Sequence, residues 1–261
     1  MDDNYHVYLN RVVKLVQPGT YIAQVQHIQE SSKFKSDDSG IRQPAYFPGY
    51  TIITPPMQDD TDNQSFYQIL QQYQQQLVEK IEPGLLVTVP SSSFHVTLAD
   101  LIWDDAFLHA MQNPDFEGKL RLCFDDIFQQ CRNLLTLNQP LEWQILGMML
   151  MPRAIGVCLI PKTESGYEEI LQFRRAIYQN SSLIALGIEQ QYSFTAHITL
   201  GYFGEITPDI NRDRLCKSLG ELNDQFLHDN PPLFISKRAE LRKFDNMINY
   251  YRESDWPAFD F

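Results

Sequence analysis

Two short stretches of this chain set an imidazole among hydroxyls at matching offsets. Ser93-Phe94-His95-Val96-Thr97-Leu98 and Thr195-Ala196-His197-Ile198-Thr199-Leu200 both read as strands. A strand's period of two puts Ser93, His95 and Thr97 on one face and Phe94, Val96 and Leu98 on the other; Thr195, His197 and Thr199 separate in the same way from Ala196, Ile198 and Leu200. Each apolar face goes to a core, and each polar face presents an imidazole flanked by hydroxyls. A single His-x-Thr among six histidines says little, because a surface or hydrogen-bonded histidine accounts for it. Two in the same apolar setting, each followed by Leu, point to a paired site.

Neither motif holds the carboxylate of a Ser-His-Asp triad, and a zinc site wants three or four ligands, so hydrolysis at a metal fits poorly and no metal is expected. Displacement at phosphorus fits better. There the attacking and leaving oxygens lie roughly opposite each other, which asks for a base on one side and an acid on the other, while threonine hydroxyls donate to the equatorial oxygens.

Helices and strands interleave around the motifs. Apolar residues at 66, 69, 70, 73, 77 and 81 keep a helical period up to Pro83-Gly84, and those at 120, 124, 127, 128, 131 and 134 mark a second helix. LEWQILGMMLM and AIGVCLI read as a hairpin across Pro152-Arg153, Ser165 to Glu168 as a capping box, and Thr207-Pro208 as a further helix start. YTIIT, LLVTVP and a closing pair around Asp245-Asn246 supply more strands. The hairpins favour an antiparallel α+β fold over a doubly wound parallel sheet, and the helix-strand-helix setting of both motifs implies two pseudo-symmetric lobes facing across a groove. Residues 1–45 read as an N-terminal extension, with Pro18-Gly19 as punctuation and SSKFKSDDSG as a surface loop; residues 46–261 form the bilobal domain.

A net charge of −12 and a pI near 4.9 argue against wrapping long DNA or RNA, which calls for a basic face. A nucleic-acid-like substrate would be small or a chain end gripped locally. The acidic start and the lack of a long apolar run fit neither a signal peptide nor a membrane span. Cys123, Cys131, Cys158 and Cys216, with no Cys-x-x-Cys pair, read as buried thiols of a cytoplasmic protein.

FHVTL and AHITL resemble the paired motifs of the 2H phosphoesterases, a resemblance that covers roughly residues 46–261. Members of that family open 2′,3′-cyclic or 1″,2″-cyclic phosphates, cleave 2′-5′ linkages or trim RNA ends without needing a metal, and no cofactor is expected here. The resemblance implies that His95 and His197 divide the roles of base and acid and that Thr97 and Thr199 hold the phosphate; which histidine does which is left open by the sequence. Hydrolysis is expected ahead of two alternatives, a groove that binds nucleotide without turnover and the joining of RNA ends through a 2′-5′ bond. Intact motifs favour an enzyme, and an acidic surface hinders bringing two RNA chains together.

Weaker candidates surround the motifs. Tyr202, Phe203, Tyr46 and Tyr50 offer stacking surfaces. Strand alternation turns Tyr202 away from His197, unless Gly201 or Gly204 bends the strand, and so favours Phe203. Arg153 at the hairpin tip and Lys162 beyond it are candidates to reach a phosphate, and Ser93 and Thr195 to tune the histidine two residues on.

Overall fold

The computed structural model describes residues 3–137, 139–190 and 192–261; Met1 and Asp2, at the head of the expected extension, lie outside them. Helix α1 (Tyr5–Leu15) is capped by Asn4, whose side chain accepts from the Val7 amide, and α2 (Pro18–Gln24) begins on Pro18. The proline's fixed φ suits a first helical position, so Pro18-Gly19 starts a helix instead of breaking the chain. SSKFKSDDSG is not a loose loop either: β1 (Phe34–Ser36) pairs antiparallel with β2 (Arg42–Pro44) across it.

The chain continues through β3 (Gly49–Ile53), α3 (Gln64–Lys80), β4 (Leu86–Thr88), β5 (Thr97–Trp103), α4 (Asp104–Ala110) and α5 (Phe116–Leu134). The expected hairpin is formed by β6 (Leu141–Met151) and β7 (Ala154–Pro161), with Met151 opposite Ala154. Helix α6 (Glu164–Tyr178) is capped by Thr163, which accepts from the Gly166 amide, so the helix starts ahead of the Ser165 box. After α7 (Ser181–Ala185) and β8 (His197–Phe203) comes α8 (Arg212–Asp229), capped by Asn211 and not by Thr207. The last strands are β9 (Phe234–Ser236), β10 (Arg238–Phe244), β11 (Tyr250–Tyr251) and β12 (Ala258–Asp260).

Among the described residues two five-stranded antiparallel sheets result, one in the order β11-β10-β3-β5 with β12 on the far end of β10, the other β4-β8-β7-β6-β9. The first motif thus leads into β5 and the second opens β8, one on each sheet, as an α+β fold with two lobes requires. The lobes interlock more than a simple duplication would suggest. Helix α3, which precedes the first motif, lies on the second sheet: Phe66 packs against Phe234 at 5.2 Å and Gln74 donates to the Leu200 carbonyl at 2.7 Å. Helix α6, which precedes the second motif, reaches the first sheet: Phe173 packs against Phe259 at 5.5 Å and Arg174 donates to the Leu98 carbonyl. Burying these exchanged faces joins the lobes in one continuous core.

The N-terminal helices belong to this core. Tyr5, Tyr8 and Tyr21 pack their rings against it and donate their hydroxyls to the carbonyls of Pro161 (2.8 Å), Leu159 (3.3 Å) and Met148 (2.6 Å), on the second sheet. Among the described residues no helix is long and apolar enough to cross a membrane. The four cysteines are free thiols, with Cys123, Cys131 and Cys158 buried and Cys216 half-buried.

Arg174 ties the two motifs together. Its buried guanidinium bonds the Leu98 carbonyl of β5 and lies 4.7 Å from the centre of the Phe194 ring, just ahead of the second motif. Replacing it with Leu leaves that carbonyl without its donor and removes the cation–ring contact. Arg174→Leu is expected to lower stability by about 2–4 kcal/mol in chemical denaturation.

Candidate active site

His95, Thr97, His197 and Thr199 all line one groove of about 840 Å³ between the sheets. The two histidines reach it through the same local device. His95 Nδ1 lies 2.7 Å from the carbonyl oxygen of Ser93, and His197 Nδ1 lies 2.9 Å from that of Thr195. A carbonyl only accepts, so each Nδ1 carries the hydrogen and Nε2 is the nitrogen left for chemistry.

His95 stands just ahead of β5 and not within it, because residues 91–93 form a 3₁₀ turn in which the Ser93 hydroxyl donates to the Pro90 carbonyl at 2.7 Å. Thr54 holds the segment in place: its hydroxyl accepts from the Val96 amide and its own amide donates to the Val96 carbonyl, both at 3.0 Å. The edge of the His95 ring meets the Tyr250 ring, with centres 4.4 Å apart. Burial pushes the His95 pKa down to about 4, with the Ser93 hydrogen bond opposing that shift and the charges of His197 and Arg242 adding to it. His95 is therefore neutral at pH 7.

Bulges decide which other side chains share the groove. In β8, Ile155 lies opposite Gly201 and Gly156 opposite Thr199, so Leu200 is an extra residue and alternation is inverted beyond it. Tyr202 consequently joins His197 and Thr199, with its hydroxyl hydrogen-bonded to Thr199, while Phe203 turns into the core at 0% exposure. The preference for Phe203 is thereby corrected, by the bend at Gly201 that period-two counting leaves out. A Cβ at Gly201 would sit 2.8 Å from the Val87 carbonyl oxygen, which is why the bend needs glycine. Strand β5 has register shifts of its own, and Thr97, Asp100 and Trp103 line the groove at intervals of three.

The remaining candidates divide. Ser93 and Arg153 line the groove, the latter donating to the Gln29 side chain at 3.1 Å. Thr195 is turned from it, its hydroxyl accepting from Arg11 at 2.8 Å while the same guanidinium holds the Phe194 carbonyl at 2.6 Å. Tyr50 is a core residue among Phe107, Phe116 and Trp256 and donates to Glu117. Tyr46 is exposed outside the groove, and Lys162 pairs with Glu142 at 2.8 Å. Sequence reasoning missed Tyr250 and Lys33, both in the groove wall. Lys33 carried a signal, as a cation beside the apolar Phe34 of a stretch that pairs as a strand; Tyr250 carried none beyond its place in the closing strand pair.

Comparison with known proteins agrees with this layout. Residues 33–112 match the model of the 2H phosphodiesterase family described as a domain of unknown function (DUF1868), a span that holds the first motif. No curated protein matches the chain in sequence. Among solved structures, the conserved protein of unknown function ATU0111 from Agrobacterium tumefaciens str. C58 is similar with a TM-score of 0.59 and 14% identity, over 93% of this chain and 97% of that one. TT0787 of Thermus thermophilus gives 0.41 and 15% over 74% and 86%. E. coli LigT complexed with 3′-AMP gives 0.39 and 14% over 83% and 98%. The family match takes in the first His-x-Thr motif, and the second lies beyond the matched residues on the same groove.

Because the folded pKa of His95 lies below its unfolded value, the folded state favours the neutral ring; that contribution is present above the ordinary histidine range near 6.5 and is lost as pH falls through about 4. In an NMR titration the His95 ring resonances are expected to move with a midpoint near 4. A midpoint at or above about 6.5 would contradict the burial seen here.

Proposed function

We propose that the protein is a phosphodiesterase that hydrolyses a cyclic phosphate on a nucleotide or a short RNA end. The observation that carries this reading is the convergence of two imidazoles, each with Nδ1 fixed on a carbonyl, and two threonine hydroxyls on one groove. The aromatic side chains of Trp103, Tyr202 and Tyr250 in the same wall suit a nucleobase and its ribose.

In this mechanism Thr97 and Thr199 donate to the non-bridging oxygens of the phosphate. Neutral His95 is the base: its Nε2 takes a proton from a water as that oxygen bonds to phosphorus. On the opposite side His197, protonated, delivers the Nε2 proton to the ribose oxygen as its bond to phosphorus breaks. One P–O bond forms, one breaks, and the proton gained by His95 and lost by His197 returns to balance through solvent. Burial and the lowered pKa of His95 support giving it the base role.

Incubation with 2′,3′-cyclic nucleotides, a 1″,2″-cyclic ADP-ribose phosphate and 2′-5′ oligoadenylate, scoring which oxygen keeps the phosphate, tests the reading; no turnover of any of them would overturn it. His95→Ala and His197→Ala are each expected to reduce turnover by about 10²–10⁴-fold with the fold retained, and Thr97→Ala or Thr199→Ala by less. Near-normal turnover in both histidine variants would remove the mechanism. Activity is expected to persist in chelator.

A further inference from the structure

Lys33 stands in the groove wall with no acceptor for its ammonium. The nitrogen lies 4.4 Å from the centre of the Phe47 ring and 5.4 Å from that of Tyr202, and among the described residues it makes no hydrogen bond and no ion pair. Burial lowers its pKa; Asp100 and Asp104 oppose that shift and Arg153 adds to it. An ammonium partly removed from water, set against two rings and bonded to no protein oxygen among the described residues, has lost hydration that an acceptor held in the groove would replace.

The backbone gives Lys33 little room to swing away. The Gln29 amide donates to the Pro152 carbonyl at 2.7 Å, the Ser31 amide to the Phe203 carbonyl at 3.0 Å, and the Lys33 carbonyl accepts from the Ala45 amide at 2.9 Å. This strap seats Lys33 one side chain beyond the phosphate threonine, because the Tyr202 ring that faces it carries the hydroxyl bonded to Thr199. The charges acting on Lys33 are those of Asp100, Arg153 and Asp104, whereas those acting on His95 are His197 and Arg242. The groove therefore has two electrostatic ends. Asp100 is engaged by the Tyr192 hydroxyl at 2.6 Å, and Lys33 and Arg153 are near enough to repel, with no carboxylate among the described residues bonded to Lys33. At about 840 Å³ the groove is also near the top of the roughly 300–1,000 Å³ range of small-molecule sites, which leaves room beyond one phosphate and its sugar.

We propose that Lys33 binds a second phosphoryl group of the substrate, beyond the scissile one, so that the groove selects nucleoside cyclic phosphates that carry a further phosphate. The inference rests on the hydrolase reading for the identity of the first phosphate. The second one is either a 5′-phosphate on the same nucleotide or the diester to a preceding nucleotide.

The test compares adenosine 2′,3′-cyclic phosphate, its 5′-phosphorylated form, and a diadenylate ending in a cyclic phosphate. The wild type is expected to prefer one of the latter two by about tenfold in kcat/KM, which identifies the source; Lys33→Met should bring that ratio to about one, and Lys33→Arg should recover most of it. A second arm measures binding by calorimetry with 3′-AMP and adenosine 3′,5′-bisphosphate, where the wild type is expected to hold the bisphosphate about tenfold tighter and Lys33→Met to hold both alike. Turnover without any preference, or a preference that survives Lys33→Met, overturns the assignment of Lys33. A binding preference without turnover of any cyclic phosphate overturns the hydrolase reading and leaves the Lys33 site standing. Loss of both overturns both.

Discussion

The hydrogen bond from each motif imidazole to the carbonyl two residues upstream is the constraint the rest of the structure serves. With Nδ1 committed to Ser93 or Thr195, the nitrogen facing the groove is Nε2 whether the ring is neutral or charged. In the proposed mechanism a base and an acid can then exchange charge states without any ring having to turn. A regular ladder does not readily spare a carbonyl for this purpose, since ladder carbonyls are taken by the neighbouring strand. The chain therefore approaches both histidines irregularly: a 3₁₀ turn over 91–93 before one, and before the other a segment without ladder pairing whose Phe194 and Thr195 are held by Arg11. The first helix of the extension thus takes part in placing the second imidazole.

Fixing each ring is useful only if the two sheets keep their distance, and the exchange of helices provides for that. Because α3 lies on the sheet of the second motif and α6 reaches that of the first, sliding one lobe past the other would expose faces buried on both. Arg174 adds a polar link between the Leu98 carbonyl and the Phe194 ring, so a displacement at one motif is felt at the other. Two lobes joined only by a linker would leave the relative placement of the two imidazoles at the mercy of domain motion.

The pattern of residues disclosed the parts of this design that depend on local chemistry. Apolar periods marked α3 and α5, the Pro152-Arg153 turn marked the β6–β7 hairpin, and the doubled His-x-Thr marked the residues that converge on the groove. What escaped depends on register and on contacts distant in sequence. One extra residue at Leu200 inverts the facing of Tyr202 and Phe203, and a bulge leaves only a glycine as its trace. Tyr50 looked like a stacking surface because nothing near it in sequence announces Phe107, Phe116 and Trp256, which close over it. Residues 1–45 read as an extension because the partners of Gln29 and Ser31 within it, Pro152 and Phe203, stand far along the chain.

Charge completes the design. A protein of net charge −12 repels polyanions at long range, but beyond about 8 Å at physiological ionic strength that repulsion is screened, and inside the groove local charges rule. There burial keeps His95 neutral, and the charges of His197 and Arg242 add to that effect, the latter although it is paired with Glu240 and Asp59 at 2.6 and 2.8 Å. An imidazole with a pKa near 4 is by itself a weak base. An anion bound beside such a ring favours its protonated form and raises that pKa, so in the proposed mechanism the base would strengthen on binding the phosphate. The depressed basicity of His95 and the demands of proton transfer are then compatible: in the proposed mechanism His95 is held ready in the neutral form and gains its proton affinity from the bound phosphate.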